Sequence, residues 1–367
     1  MTVLLTPPPP PPPPPQTARL TIHLLSPDLW TDAYAVTNFI GLSRTTGDQR
    51  FLDLAIKLVD QVHEVLGRHR EDSIKKNTWL SGLTEEEGKL HPTIGGLRIG
   101  KPQPEAAPGE LMASSLEWKS DGVYFHYLTR WAHALNLLSW TTKETRYATM
   151  ALELLDTAHK KFVYSTTSGQ RRMYWKMSVD LSRPLVASQG HHDPLDGLLT
   201  CLQLEDTRKK LSVLSGPSLS SAIEDLKSMV VPPQLATDDA LGIGGLLCDV
   251  FRLSRLNIAS ERQLLEAIVV SANFGLQRYL AQDDLRQPAE QRLAFRELGL
   301  AIGLAGVSKT PFSHRFEPYQ RVRTLIENFW ETPVNRLQSN IYIEHQDIND
   351  VMLATSLAPE GYLNLSS

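Results

Sequence analysis

Cysteine is nearly absent: the 367 residues contain only Cys201 and Cys248. Both sit in apolar stretches that read as helix. No secreted disulfide framework is expected, and both thiols read as buried in a reducing compartment. No apolar run reaches the roughly 18 residues that cross a bilayer, so no membrane-spanning helix is expected. Basic residues form no stripe and acidic residues no tail; 37 Lys and Arg against 41 Asp and Glu leave a formal net charge of −4. A nucleic-acid partner is therefore not expected. The sequence also lacks GxxxxGK[ST], HExxH and paired CxxC motifs, so nothing calls for a nucleotide, a metal or another cofactor. Strand-like alternation is scarce, with short extended pieces expected only near 93–99 and 172–179.

Proline, by contrast, is concentrated: Pro7 to Pro15 form one unbroken run. A proline run forbids helix and favours polyproline II, so residues 1–16 read as a solvated tail with no partner. Val3 to Leu5 is too short for the apolar stretch of about 7–15 residues in a secretory signal. A cytoplasmic protein with one helical domain over 17–367 is the expectation.

That domain is expected to be all-α. Apolar residues make up 41% of the chain. Their spacing predicts helices near 30–45, 48–67, 121–141, 143–163, 192–206, 218–230, 239–256, 260–282, 289–306, 317–330 and 346–357. Six of these start beside an acid: Asp32, Asp121, Asp196, Asp239, Glu297 and Asp347. Several of the six are apolar all round, as buried helices are. They carry Gly242, Gly244, Gly245, Gly299, Gly303 and Gly306. Each interior glycine costs about 1 kcal/mol, which points to close helix packing or to room for a ligand. The helices between them are amphipathic. Inner helices alternating with outer ones describe an (α/α)6 toroid, with the sixth outer partner missing or supplied by residues 17–29. In such a toroid the inner helices start around one mouth of a deep pocket, where free N–H groups favour negative charge.

Five clusters near those starts carry possible chemistry. In His91-Pro-Thr-Ile-Gly-Gly-Leu-Arg-Ile-Gly-Lys101, Arg98 is placed to hold a carboxylate or carbonyl, or to make a structural ion pair. The segment 116–131 offers Trp118, Asp121 and Tyr124, with Tyr127 and Trp131 on the same helical face and His126 pointing elsewhere. The loop 172–184 offers Tyr174, Trp175 and Lys176, the lysine able to pair with Asp180 if the loop is helical. In Gly190-His-His-Asp-Pro-Leu-Asp-Gly197, Asp193 before Pro194 reads as a helix cap, leaving His191 and His192 as the better site candidates. Arg296 and Glu297 lie in an apolar helix, where each needs a partner or a wet cavity.

The segments GGLRIGK, LEWKSDGVYFHYLTRWAHAL, RMYWKMSVDLSRPL, GHHDPLDGLLTCL, TDDALGIGGLL and RLAFRELGLAIGL resemble a family of bacterial and fungal six-hairpin glycosidase-like proteins, from about residue 28 to 310. The resemblance implies an (α/α)6 fold with a pocket. Within that family the chain is similar to norbornene-forming Diels–Alder cyclases of fungal, sordarin-type diterpenoid biosynthesis. That likeness implies a cofactor-free cyclase whose partner is a small cyclopentadiene-bearing terpenoid. Arg98, Asp121, Lys176, His191, His192 and Glu297 are then candidates for the chemistry. Trp118, Tyr124, Tyr174, Trp175, Asp239 and Arg296 are candidates for substrate contact. Two alternatives stay open. One is an intracellular glycoside hydrolase using Asp121 with Glu297 or Asp239, about 5–5.5 Å apart for retention or 6.5–9.5 Å for inversion. The other is a pocketed binding protein without catalysis.

Overall fold

Each long helix begins or ends where the local sequence dictates. Asp28 accepts from the Thr31 amide and starts α1 (Leu29–Thr46), which stops at Gly47 with φ +71°. Asp48 then caps α2 (Gln49–Leu66) in the same way, giving the first helical hairpin. Asp32, four residues after Asp28, lies inside the first turn of α1 and is not its cap. The structure, a computed structural model, describes residues 27–107 and 119–365. The proline tail, residues 17–26 of the expected helix partner at 17–29, and Trp118 lie outside the described residues; Leu29 already belongs to α1.

The described residues are mostly helical. The further long helices are α3 (Phe125–Thr142), α4 (Thr145–Phe162), α5 (Asp193–Lys210), α6 (Ser220–Met229), α7 (Ala240–Leu256), α8 (Arg262–Leu280), α9 (Ala294–Val307), α10 (Gln320–Glu331) and α11 (Gln346–Leu357); the short α12 (Glu360–Leu363) follows. Besides further short helical turns, the described residues form five two- or three-residue strands: β1 (Val123–Tyr124), β2 (Val163–Ser165), β3 (Arg171–Met173), β4 (Lys176–Met177) and β5 (Pro184–Val186). Residues 93–99 form no strand, although Ile99 donates its amide to the Gly122 carbonyl. Asp121 precedes β1, and α3 begins only at Phe125. Asp193 is the first residue of α5 and makes no cap hydrogen bond; His192 holds the cap position.

Six helices pack in sequence: α1 on α3, α3 on α5, α5 on α7, α7 on α9, α9 on α11, and α11 back on α1. The amphipathic α2, α4, α6, α8 and α10 lie against α1, α3, α5, α7 and α9 respectively. No long helix follows α11 among the described residues; α12 packs on α1 and α7 instead. Cross-links between first or second turns show that the six begin at one end. Arg130 of α3 reaches Asp196 of α5, and Arg296 of α9 reaches Asp239 at the start of α7. Asn349 of α11 accepts from the Phe295 amide of α9. Trp30 of α1 lies beside His126 and Tyr127 of α3.

Gly244, Gly299 and Gly303 settle as close packing, whereas Gly245 faces open space. A Cβ at Gly244 of α7 would lie 2.2 Å from the Gly299 carbonyl oxygen of α9, and one at Gly303 would lie 2.4 Å from the Gly244 oxygen. The axis is filled as well. Trp30, Tyr34, Arg130 and Tyr362 crowd it, and Tyr34 stacks on Tyr362 with ring centres 5.0 Å apart. What remains is a cavity of about 40 Å³. Among the described residues, the one deep pocket expected from the sequence is therefore not found along the axis, because Trp30, Tyr34 and Tyr362 occupy it.

Candidate functional site

The rim at the starts of the six helices gathers most of the residues singled out above, in two layers. The lower layer is structural. Asp121 is fully buried and accepts from Arg70 and Arg98 at 3.0 and 2.9 Å. It also accepts from the amides of Gly100, Lys101 and Gly122 at 3.0, 3.3 and 3.1 Å. Arg98 gives its other donors to the Arg68 and Val65 carbonyls. This pair thus ties the end of α2 and the 97–101 loop to the strand before α3. Gly100 (φ +91°) is required there, since a Cβ would lie 2.0 Å from the Pro27 oxygen. Glu297 is equally committed: Arg292 donates to both of its oxygens, and Trp330 Nε1 donates at 2.7 Å.

The upper layer is aromatic. β1 pairs with β4 so that Tyr124 faces Lys176, which brings the neighbouring Trp175 to 5.2 Å from Tyr124. Around His126 stand Tyr124 at 5.3 Å, Tyr127 at 5.1 Å, Trp30 at 5.9 Å and Trp175 at 6.4 Å, the last stacked at 22°. Trp30, Tyr124, His126 and Trp175 come from three distant stretches of chain. The imidazole Nδ1 of His126 lies 3.5 Å from Asp193 Oδ1, and a quarter of the side chain is exposed. Asp193 is nearly buried, and its Oδ2 has no partner among the described residues. A carboxylate beside one ring nitrogen orients the ring and leaves the other nitrogen to face a ligand.

Other candidates serve as ties. Lys176 is buried, donates to the Ser120 carbonyl at 3.0 Å and sits over the Tyr124 ring; the strand geometry of β4 keeps it from pairing with Asp180. His191 and His192 stack on each other, 4.3 Å apart, and reach the Gln234 and Leu235 carbonyls. Burial lowers the His192 pKa. They fasten the start of α5 to the 232–235 turn. Tyr174 stacks on Tyr164 at 4.4 Å. Asp239 caps α7 through the Gly242 amide and pairs with Arg296, both about a third exposed at the rim. Asp32 differs from all of these. Burial, with Asp28 next in effect and Asp347 adding to it, pushes its carboxyl up to about 8. Its Oδ2 is shielded and has no partner among the described residues.

Below the rim, Asp196 and Asp249 share Arg252, whose Nη1 lies 3.1 and 3.2 Å from them. Arg130 and Thr129 also bind Asp196. Burial opposes ionisation, yet Arg130 and Arg252 hold the Asp196 carboxyl down, to about 2. Asp249 goes the other way: burial pushes it up to about 7.

Sequence reasoning missed Trp30, His126 and the role of Asp193. Helical spacing turns His126 from Trp131, and the partner it meets instead, Asp193, belongs to another helix. No group of three or more His, Cys, Asp or Glu among the described residues is arranged to hold a metal. No helix among them is long and apolar enough to cross a membrane. The chain matches no protein-family model, no curated protein and no solved structure.

Proposed function

We propose that the rim binds an apolar, carbonyl-bearing substrate and that the protein is a cofactor-free, norbornene-forming Diels–Alder cyclase acting on a cyclopentadiene-bearing diterpenoid in the cytoplasm. The closed succession of six helix packings supports reading the fold as an (α/α)6 toroid with its working face at the helix starts. The observation that carries the proposal is the aromatic cluster around His126. Three of the segments through which the chain resembles the cyclases and their family contribute to it: Tyr124 and His126, Trp175, and Asp193. In this reading the substrate lies over the rim rather than down the filled axis.

The chemistry asks little of the protein. An intramolecular cycloaddition forms two carbon–carbon bonds from existing π electrons, with no atom, proton or electron gained or lost. Trp30, Tyr124 and Trp175 offer flat apolar walls against which diene and alkene are held together, and such positioning removes part of the entropic barrier. A hydrogen bond to the carbonyl on the alkene then lowers the remaining barrier. The His126 ring, steadied by Asp193, supplies that donor from Nε2.

The test follows cycloadduct formation from a cyclopentadienyl diterpenoid enal with and without purified protein. Acceleration is expected, and His126→Gln, which keeps a polar side chain but loses the ring, is expected to lower the rate about tenfold or more. An uncatalysed rate in the presence of folded wild-type protein would reject the proposal.

One observation favours the hydrolase alternative. Asp32 has the raised pKa a general acid needs, whereas Asp121 and Glu297 are clamped by arginines. If this reading holds, aryl-glycoside cleavage appears with wild type and disappears in Asp32→Asn.

A further inference from the structure

In the outer layer, the end of α8 and one face of α10 border a cleft of about 390 Å³, within the roughly 300–1,000 Å³ range of small-molecule pockets. Val322, Leu325 and Phe329, spaced i, i+3 and i+7 on α10, make its lining apolar together with Leu280 and Leu285. Arg292 holds these pieces in place. It donates to the Leu285 carbonyl at 3.0 Å, lies 3.7 Å over the Phe329 ring and grips both Glu297 oxygens. The turn Asp284–Arg286 is closed by its own backbone bonds. The cleft is thus built from fixed parts.

One polar group in it is idle. Tyr279 lines the cleft and is 4% exposed, yet its hydroxyl makes no hydrogen bond among the described residues. Unlike the indole nitrogen of Trp30 and the Nε of Arg130, that oxygen is not sealed away, so it keeps accessible surface. A buried tyrosine hydroxyl normally has a partner. Burial pushes its pKa up, so it stays protonated and can both donate and accept. An alcohol matches both capacities.

Charge narrows the ligand further. The Arg292 guanidinium is spent on Glu297 and offers the cleft no net positive charge. On the exposed side, Arg286 pairs with Asp283 at 3.2 Å, and Asp284 has no ion partner among the described residues. Any ion would lose its hydration to the apolar walls, and an anion would also meet the Asp284 carboxylate. A neutral molecule avoids both costs.

We infer that this cleft binds a small, uncharged, apolar alcohol whose hydroxyl meets that of Tyr279 while its carbon skeleton covers Leu325 and Phe329. The site shares no residue with the rim and is judged independently of the cyclase reading.

The test titrates the full chain with 2-naphthalenemethanol, and in parallel with 2-methylnaphthalene and 2-naphthoate, read by calorimetry. The three share a ring system and differ in the polar group alone. Saturable binding of the alcohol at one site per chain is expected, with the naphthoate at least about tenfold weaker. Tyr279→Phe removes only the idle hydroxyl. It is expected to keep the wild-type unfolding midpoint, to weaken the alcohol about fivefold and to leave 2-methylnaphthalene unchanged. Leu325 is 52% exposed, so Leu325→Trp fills the cleft without disturbing the core; it is expected to weaken both neutral probes at least about tenfold. Circular dichroism checks that both variants keep the wild-type helix content. Absence of saturation for wild type overturns the inference, as does an alcohol affinity untouched by Tyr279→Phe or a naphthoate bound as tightly as the alcohol. Undiminished binding in a folded Leu325→Trp also overturns it, because the ring system then sits elsewhere, such as against the aromatic rim.

Discussion

Replacing Asp249 by Asn should remove a pH dependence that the buried charge network imposes on stability. Asp249 is 5% exposed and shares Arg252 with Asp196. Arg252 also donates to Gln203 and Thr200, at 2.7 Å each, so it stays satisfied without Asp249. Burial raises the Asp249 carboxyl from an ordinary 3.8 to about 7. Between those two values the folded chain holds a proton that the unfolded chain has released, so stability falls as pH rises through that window. At 1.36 kcal/mol per pH unit the full effect is about 4 kcal/mol, a ceiling that local relaxation and water entry reduce to about 2 kcal/mol. Asn is neutral at every pH and has nearly the same shape. Urea unfolding of wild type and Asp249→Asn at pH 3.5 should therefore agree within about 0.5 kcal/mol, whereas at pH 8 the variant should be more stable by about 2 kcal/mol. Parallel pH profiles would refute the reasoning, as would a variant less stable at pH 8. Parallel profiles would mean that Asp249 loses its proton alike in the folded and unfolded chain, and a less stable variant that it is ionised and forms a stabilising pair with Arg252.

Two neighbouring glycines should respond with opposite sign. Gly244→Ala drives a Cβ into the Gly299 backbone and should cost about 2 kcal/mol; Gly245→Ala meets open space and should gain about 0.5–1 kcal/mol from helix propensity. Both are read by thermal or urea unfolding. Asp32→Asn should stabilise the chain increasingly as pH rises from about 4 to 8, because the carboxyl it replaces is pushed up by burial, Asp28 and Asp347. Asp28 also pairs with Lys101 at 2.6 Å, and that ion pair should be unaffected. An advantage that does not grow with pH would show that Asp32 ionises normally.

The helices were legible because their signal is local. Periodicity over ten to eighteen residues defined α1, α2, α4, α7 and α11 to within two residues at each end, and glycines in α7 and α9 marked a close contact. Start signals were less readable where two acids compete. Asp28 and Asp32 are both plausible caps, and only the backbone turn shows that Asp28 serves. Asp193 before Pro194 had cap chemistry, but it entered the helix and turned toward His126 of α3. The arginine clamps on Asp121 and Glu297 were partly visible, since Arg98 was recognised as a possible ion-pair residue and its partner was not. The filled axis was not visible at all. It depends on Tyr362 meeting Tyr34 across more than three hundred residues, and no spacing rule relates them.

The central claim is that ligands meet this protein at the rim formed by Trp30, His126 and Trp175. The chain has seven tryptophans, and each indole N–H gives its own resonance in a ¹⁵N-labelled sample. Trp131, Trp140 and Trp330 donate to His63, Thr207 and Glu297. On titration with a carbonyl-bearing diterpenoid, the signals of Trp30 and Trp175 should shift saturably while those of Trp131, Trp140 and Trp330 stay in place. Shifts confined to Trp140 or Trp330, with Trp30 and Trp175 unmoved, would contradict the account.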